Sequence, residues 1–183
     1  MTACIEQAAG ILGRIDGVAH CVGSLLLKPA HLTAQEEWEA VVQANLSSAF
    51  AVLRAAAKAM STDGGSVVLV SSAAARLGFA NHEAIAAAKA GVIGLTLSAA
   101  ATYAPRGVRV NCVAPGLVRT PLTARLTQNE ASLKASMGMH ALGAIGEPED
   151  VSSAIAWLLS PEQRWVTGQV LGVDGGLGTV RAR

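Results

Sequence analysis

Three consecutive pieces of the sequence, SVVLVS (66–71), NHEAIAAAKAGVIGLTLSAAATYAP (81–105) and VRVNCVAPG (108–116), carry the strongest pattern in the chain. The outer two are β-branched, apolar and of strand length. The middle one is Ala-rich and too long for a strand; Asn81 is suited to cap a helix from His82 to about Ala104, and Pro105 stops it. Strand, helix and strand in that order form one crossover unit of a parallel sheet.

The alternation continues outward. Residues 3–12 read as a short helix stopping near Gly13, and GVAHCV (17–22) as a strand closed by Gly23. Thr33 and Glu36 have capping-box spacing, and the helix they open runs to about Met60, before Asp63-Gly64-Gly65. Residues 117–146 show no firm period. Pro148 then starts a helix reaching Leu159, and GQVLGV (168–173) is the last strand. With no repeat, low-complexity tract or change of composition, the expectation is a single α/β domain over 1–183, a parallel sheet with helices on both faces.

Composition narrows the function. The chain has 183 residues, 51% hydrophobic and 15% charged, with 14 Lys+Arg against 13 Asp+Glu. Such a balance excludes a disordered chain and an electrostatic nucleic-acid binder. The longest uncharged run, Ala90 to Pro105, is too short for a bilayer span, so no membrane partner is expected. Cys4, Cys21 and Cys112 form no metal-type spacing, no histidine pair suggests a metal site, and the N-terminus lacks a signal-peptide pattern. A cytoplasmic location is the expectation.

Ligands of parallel α/β sheets sit outside the carboxyl ends of the strands. Those ends read His20-Cys21-Val22-Gly23, Ser71-Ser72, Pro115-Gly116-Leu117-Val118-Arg119-Thr120 and Asp174-Gly175-Gly176. In this order they resemble the short-chain dehydrogenase/reductase family, Rossmann-type oxidoreductases that move hydride between NAD(P)(H) and an alcohol or carbonyl. The likeness runs from about Ile5 to Gly176. It implies catalytic positions at Asn45, Ser72 and Lys89, and cofactor contacts from Gly23, Lys89, Pro115, Gly116, Val118 and Thr120. It also implies a small alcohol or carbonyl substrate, a substrate lid at 117–146 walled by Leu122, Leu126, Met137, Met139 and Leu142, and a homodimer or homotetramer formed through helices 34–60 and 82–104.

Two departures accompany the likeness. The family's tyrosine, thirteen residues after the serine and four before the lysine, is Ile85 here. Ile85 cannot transfer a proton, and Tyr103, the only tyrosine, lies near the far end of the same helix. His82 shares a helical face with Ile85 and Lys89 and is the alternative acid. His31 and His140 have no partner by spacing. The second departure is that the chain starts after the family's first strand and Gly-rich turn, so the N-terminal βαβ part is missing from the pattern. Thr167-Gly168 with Gly172 imitates that turn but reads as a strand with no helix after it. Two functions follow: an NAD- or NADP-linked oxidoreductase with an atypical active site, weak or inactive as this chain alone, or a non-catalytic member acting as scaffold or subunit.

Overall fold

The computed structural model describes residues 2–180. In chain order it contains α1 (Thr2–Leu12), β1 (Gly17–His20), α2 (Gln35–Val42), α3 (Ser48–Ala59), β2 (Gly65–Val70), α4 (Glu83–Tyr103), β3 (Val108–Pro115), α5 (Ala124–Thr127), α6 (Glu130–Met139), α7 (Pro148–Leu159) and β4 (Val170–Val173). A π-helical turn, Gln43–Ser47, joins α2 to α3. The strands form one parallel sheet in the order β1-β2-β3-β4.

Period-two alternation in β2 explains why both faces are covered. Val67 and Leu69 enter a cluster with Ala49, Leu53 and Ala56 of α3, Val92, Ala99 and Ala100 of α4, and Val108, Val110 and Cys112 of β3. Val68 points the other way, to Val113 and Leu158. A strand buried on both sides needs apolar residues at nearly every position, as SVVLV supplies. Gln35–Ala59 and Glu83–Arg106 are long and apolar enough to cross a membrane by length and composition. Both bury core residues against this sheet instead.

Several boundaries correct the sequence reading. β1 ends at His20, because the chain then peels away and the Ser24 amide donates to the Asn45 side chain rather than to β2. The cap of α2 is Ala34, not Thr33: the Ala34 amide donates to Glu37 at 2.9 Å, while the Thr33 hydroxyl donates back to Pro29 O at 3.0 Å. Asn81 does not cap α4. It takes the left-handed conformation (φ 62°), which Asn tolerates, and His82 becomes the N-cap. The last strand starts later than position 168: Gly168 is a turn residue at φ 68°, and pairing in β4 begins at Val170. Residues 117–146 contain α5 and α6, and α6 is illegible in the sequence because it buries no residue and so carries no apolar stripe.

Candidate functional site

At the carboxyl ends of β1 and β2, Gly23, Asn45 and Lys89 come together, and Ser72 follows the end of β2 in sequence. Lys89 lies on α4 and is only 8% exposed. Its ammonium donates to Val70 O at 2.9 Å and forms no ion pair among the described residues. Burial without a carboxylate holds the Lys89 pKa below the usual lysine range. A side chain on Gly23 would place its Cβ 2.8 Å from Asn45 Oδ1 and 3.4 Å from Lys89 Nζ, so only glycine passes between them.

Asn45 sits in the π-helical turn, a local widening frequent at functional sites. Its amide donates to Ser24 Oγ (3.0 Å) and Val41 O (2.9 Å), and its oxygen accepts from the Ser24 amide (3.2 Å). The loop after β1 is thereby fastened to the helix. Ser72 Oγ accepts from the Ala74 amide at 3.1 Å and keeps its own proton available. Ser71 serves structure, donating to Lys89 O at 2.8 Å.

His20 is buried at the end of β1. Ser48 Oγ donates to Ala44 O (2.7 Å), so the 2.9 Å bond to His20 Nε2 requires the histidine to donate there. Burial, helped by the nearby Lys89 charge, lowers its pKa and keeps it neutral. Burial likewise raises the Cys21 thiol, against the opposing pull of Lys89.

Ile85 faces neither solvent nor a polar partner. It is packed with Val41, Ala84 and Ala88, against Leu25, Leu26 and Leu46. His82 is not brought to Lys89: its Nδ1 donates to Ala80 O at 2.7 Å, its ring lies 5.4 Å from that of Phe79, and seven residues separate it from Lys89, roughly 10 Å of helix rise.

After β3, the Leu117 carbonyl accepts from Gly146 N–H and the Arg119 amide donates to Gly146 O, each at 2.9 Å, which fixes Val118 beside Gly146. The Thr120 amide donates to Thr123 Oγ1, which donates in turn to Val118 O. At 3.0 Å, Thr120 Oγ1 must therefore donate to Thr123, leaving its lone pairs free to accept. Leu122, Met137, Met139 and Leu142 are exposed, so the apolar wall expected from them is not closed in this conformation. Gly116 is glycine for packing: its Cβ would stand 2.5 Å from His140 Nε2 and 3.1 Å from Asp174 Cα.

Sequence reasoning misses His140, since its partners lie at Ser136 and Leu117 and only the first is local. Among the described residues no three His, Cys, Asp or Glu side chains gather as a metal centre.

A parallel sheet with helices on both faces and a polar cluster at its carboxyl edge defines the class of Rossmann-like α/β proteins. Comparison with known proteins narrows this. The model of a family described as enoyl-(acyl carrier protein) reductase matches residues 1–178. A 3-oxoacyl-(acyl-carrier-protein) reductase of Thermotoga maritima is 39% identical over 176 residues, covering 94% of this chain and 70% of that protein. A trans-4-hydroxycyclohexanecarboxylate dehydrogenase of Sinomonas cyclohexanicum is 36% identical, covering 96% of this chain and 65% of that protein. Among solved structures, a short-chain dehydrogenase/reductase from Mycobacterium ulcerans superposes with a TM-score of 0.91 at 36% identity, over 99% of this chain and 66% of its own. A gluconate 5-dehydrogenase from Burkholderia cenocepacia, in complex with NADP and tartrate, gives 0.93 at 28% identity, over 98% and 71%. The chain belongs to the short-chain dehydrogenase/reductase family of oxidoreductases and spans about two thirds of the length of these relatives.

Proposed function

We propose that this chain carries the substrate-side part of an NAD(P)-linked oxidoreductase site for a small alcohol or carbonyl compound, with Ile85 standing at the proton-transfer position. One observation carries the reading: a buried, unpaired Lys89 ammonium beside Gly23 and Asn45, with one of its three donors committed. A lysine with only a structural role would be expected to snorkel to solvent or find a carboxylate.

The residues present fit the nicotinamide half of a dinucleotide. Lys89 has two donors left for ribose hydroxyls, and Thr120 Oγ1 is an acceptor suited to a carboxamide N–H. Among the described residues no Gly-rich turn feeds a helix N-terminus, so the pyrophosphate has no comparable seat. A bound dinucleotide would supply or accept hydride; Ser72 would orient the substrate oxygen with its free hydroxyl proton. A tyrosine-to-phenylalanine variant of ElxO, 28% identical to this chain, has NADPH bound, which supports treating cofactor binding and the presence of a phenol as separable.

The apolar burial of Ile85 favours a second reading, a non-catalytic member serving as scaffold or subunit. In either case we place the protein in the cytoplasm, as a homodimer or homotetramer formed through helices 34–60 and 82–104.

Calorimetric titration with NAD(H) and NADP(H) tests the first reading. The chain is expected to bind more weakly than about 10 μM, near −7 kcal/mol. Tighter binding would reveal another phosphate seat and overturn this account of the half-site. Ile85→Tyr, in a hybrid carrying a relative's Gly-rich N-terminal part, should raise carbonyl reduction by ~10²-fold or more. The larger side chain costs ~1–3 kcal/mol in this packed cluster, so thermal unfolding is read alongside. If a folded Ile85→Tyr hybrid gains nothing while the parent hybrid is active, and His82→Ala abolishes that activity, the acid has moved and Ile85 is not the defect.

A further inference from the structure

Among the described residues, His140 is the one buried histidine whose two ring nitrogens reach different parts of the fold with opposite polarity. It is 3% exposed and directly follows α6. Its Nδ1 lies 2.7 Å from Ser136 O, and a carbonyl only accepts, so the ring proton is on Nδ1. Its Nε2 is consequently a bare acceptor and takes the Leu117 amide at 3.2 Å. The ring has little freedom to turn. A Cβ on Gly116 would stand 2.5 Å from Nε2, and one on Gly175 would stand 3.5 Å from His140 Cβ and Cδ2. The imidazole is wedged between the loop after β3 and the turn after β4, with α6 as its anchor.

From this geometry we propose that His140 is a positioning residue for the nicotinamide half-site. By accepting from Leu117 it sets the backbone of 116–120, three residues before Thr120, and through Ser136 it ties that loop to α6. Seating of the nicotinamide end and the placement of α6 are thereby linked through one side chain. The link to cofactor rests on the reading that Thr120 accepts the carboxamide; the setting of the loop does not. An apolar ring of the same shape would fill the space but leave the Leu117 amide without its acceptor, which separates positioning from mere packing.

The full chain labelled with ¹⁵N provides the test. The His140 ring should show a protonated Nδ1 and an unprotonated Nε2. In His140→Phe the Leu117 amide should exchange at least tenfold faster, while amides of β2 and β3 keep their protection. NADPH affinity, read by displacement of its own fluorescence change, should fall roughly fivefold, the equivalent of one hydrogen bond. His140→Gln, whose side-chain oxygen reaches towards the Nε2 position, should recover part of both. Unchanged Leu117 exchange in His140→Phe, or a ring protonated on Nε2, would overturn the positioning role. Faster exchange with unchanged NADPH affinity would overturn the link to cofactor. If the parent chain shows no NADPH affinity at all, the proposed half-site fails, and the exchange measurement still decides what His140 does.

Discussion

Lys89, His20 and Cys112 are buried titratable groups near the carboxyl edge of the sheet, and each is shifted towards its neutral form by burial. For His20 the consequence is a pH-dependent stability. Its folded pKa lies below 6.5, so as pH falls through 6.5 the unfolded chain binds more protons than the folded one, and stability is lost until the folded value is reached. Urea midpoints at pH 7.5, 6.5 and 5.5 should decline, and His20→Gln should flatten the decline. Cys112 is pushed up to about 11, a value at which almost no thiolate exists near neutrality. A thiol reagent at pH 7.5 should therefore modify the exposed Cys4 first, the exposed Cys21 more slowly because its thiol is raised by partial desolvation, and Cys112 only after unfolding. Lys89→Met removes an uncompensated buried ammonium, so unfolding free energy should rise by about 1 kcal/mol while NADPH affinity drops, the usual exchange of stability for function at such a site. A Lys89→Met variant less stable than the parent would mean that the bond to Val70 O outweighs the cost of burying the ammonium.

At the scale of elements, the end of α7 depends on a side chain from another element. Arg109 of β3 donates to Leu158 O (2.8 Å), Ser160 O (3.0 Å) and Val166 O (3.2 Å), and Ser66 of β2 adds a bond to Leu158 O at 3.0 Å. These are carbonyls that a helix end and the following turn leave without partners. Their collection by a guanidinium joins α7, β3 and the approach to β4. Arg109→Met should cost about 2–3 kcal/mol in chemical unfolding, and Arg109→Lys should recover only part, because an ammonium cannot present the planar fork. The start of α7 is local by contrast: Pro148 occupies the first turn, and the Glu147 amide donates to Asp150 at 2.7 Å. That end is legible from residues 147–150, whereas the Arg109 clasp joins residues about fifty positions apart.

For the whole molecule, the association surface proposed on α2–α4 is modified by burial within the chain. Ala51, Ala55 and Ala59 form a regular small-residue ridge in the sequence, yet Ala55 is only 5% exposed and serves the fold. The outward positions are Phe50, 53% exposed with Arg54 near its ring, and Leu97, 50% exposed. Light scattering at tens of micromolar should report a dimer or tetramer, and Phe50→Glu with Leu97→Glu should yield a folded monomer. A parent that is already monomeric would remove the proposed association.

Local chemistry in the sequence is enough for the α/β class, the four strands and the long helices, whereas the significance of Asn45, Ser72, Ile85 and Lys89 comes from the family resemblance. Apolar runs such as SVVLV and an Ala-rich helix bounded by Pro105 carry their own geometry, because strand and helix periods are set by backbone stereochemistry. The weakly amphipathic α6, the π-helical turn and the left-handed Asn81 are not legible in this way. Nor is the side to which each polar group commits: Asn45 to Ser24, His140 to Leu117, Arg109 to the end of α7. Those choices belong to the tertiary structure, since a hydrogen bond across twenty to fifty residues exists only after packing has brought donor and acceptor together and removed water as their alternative partner.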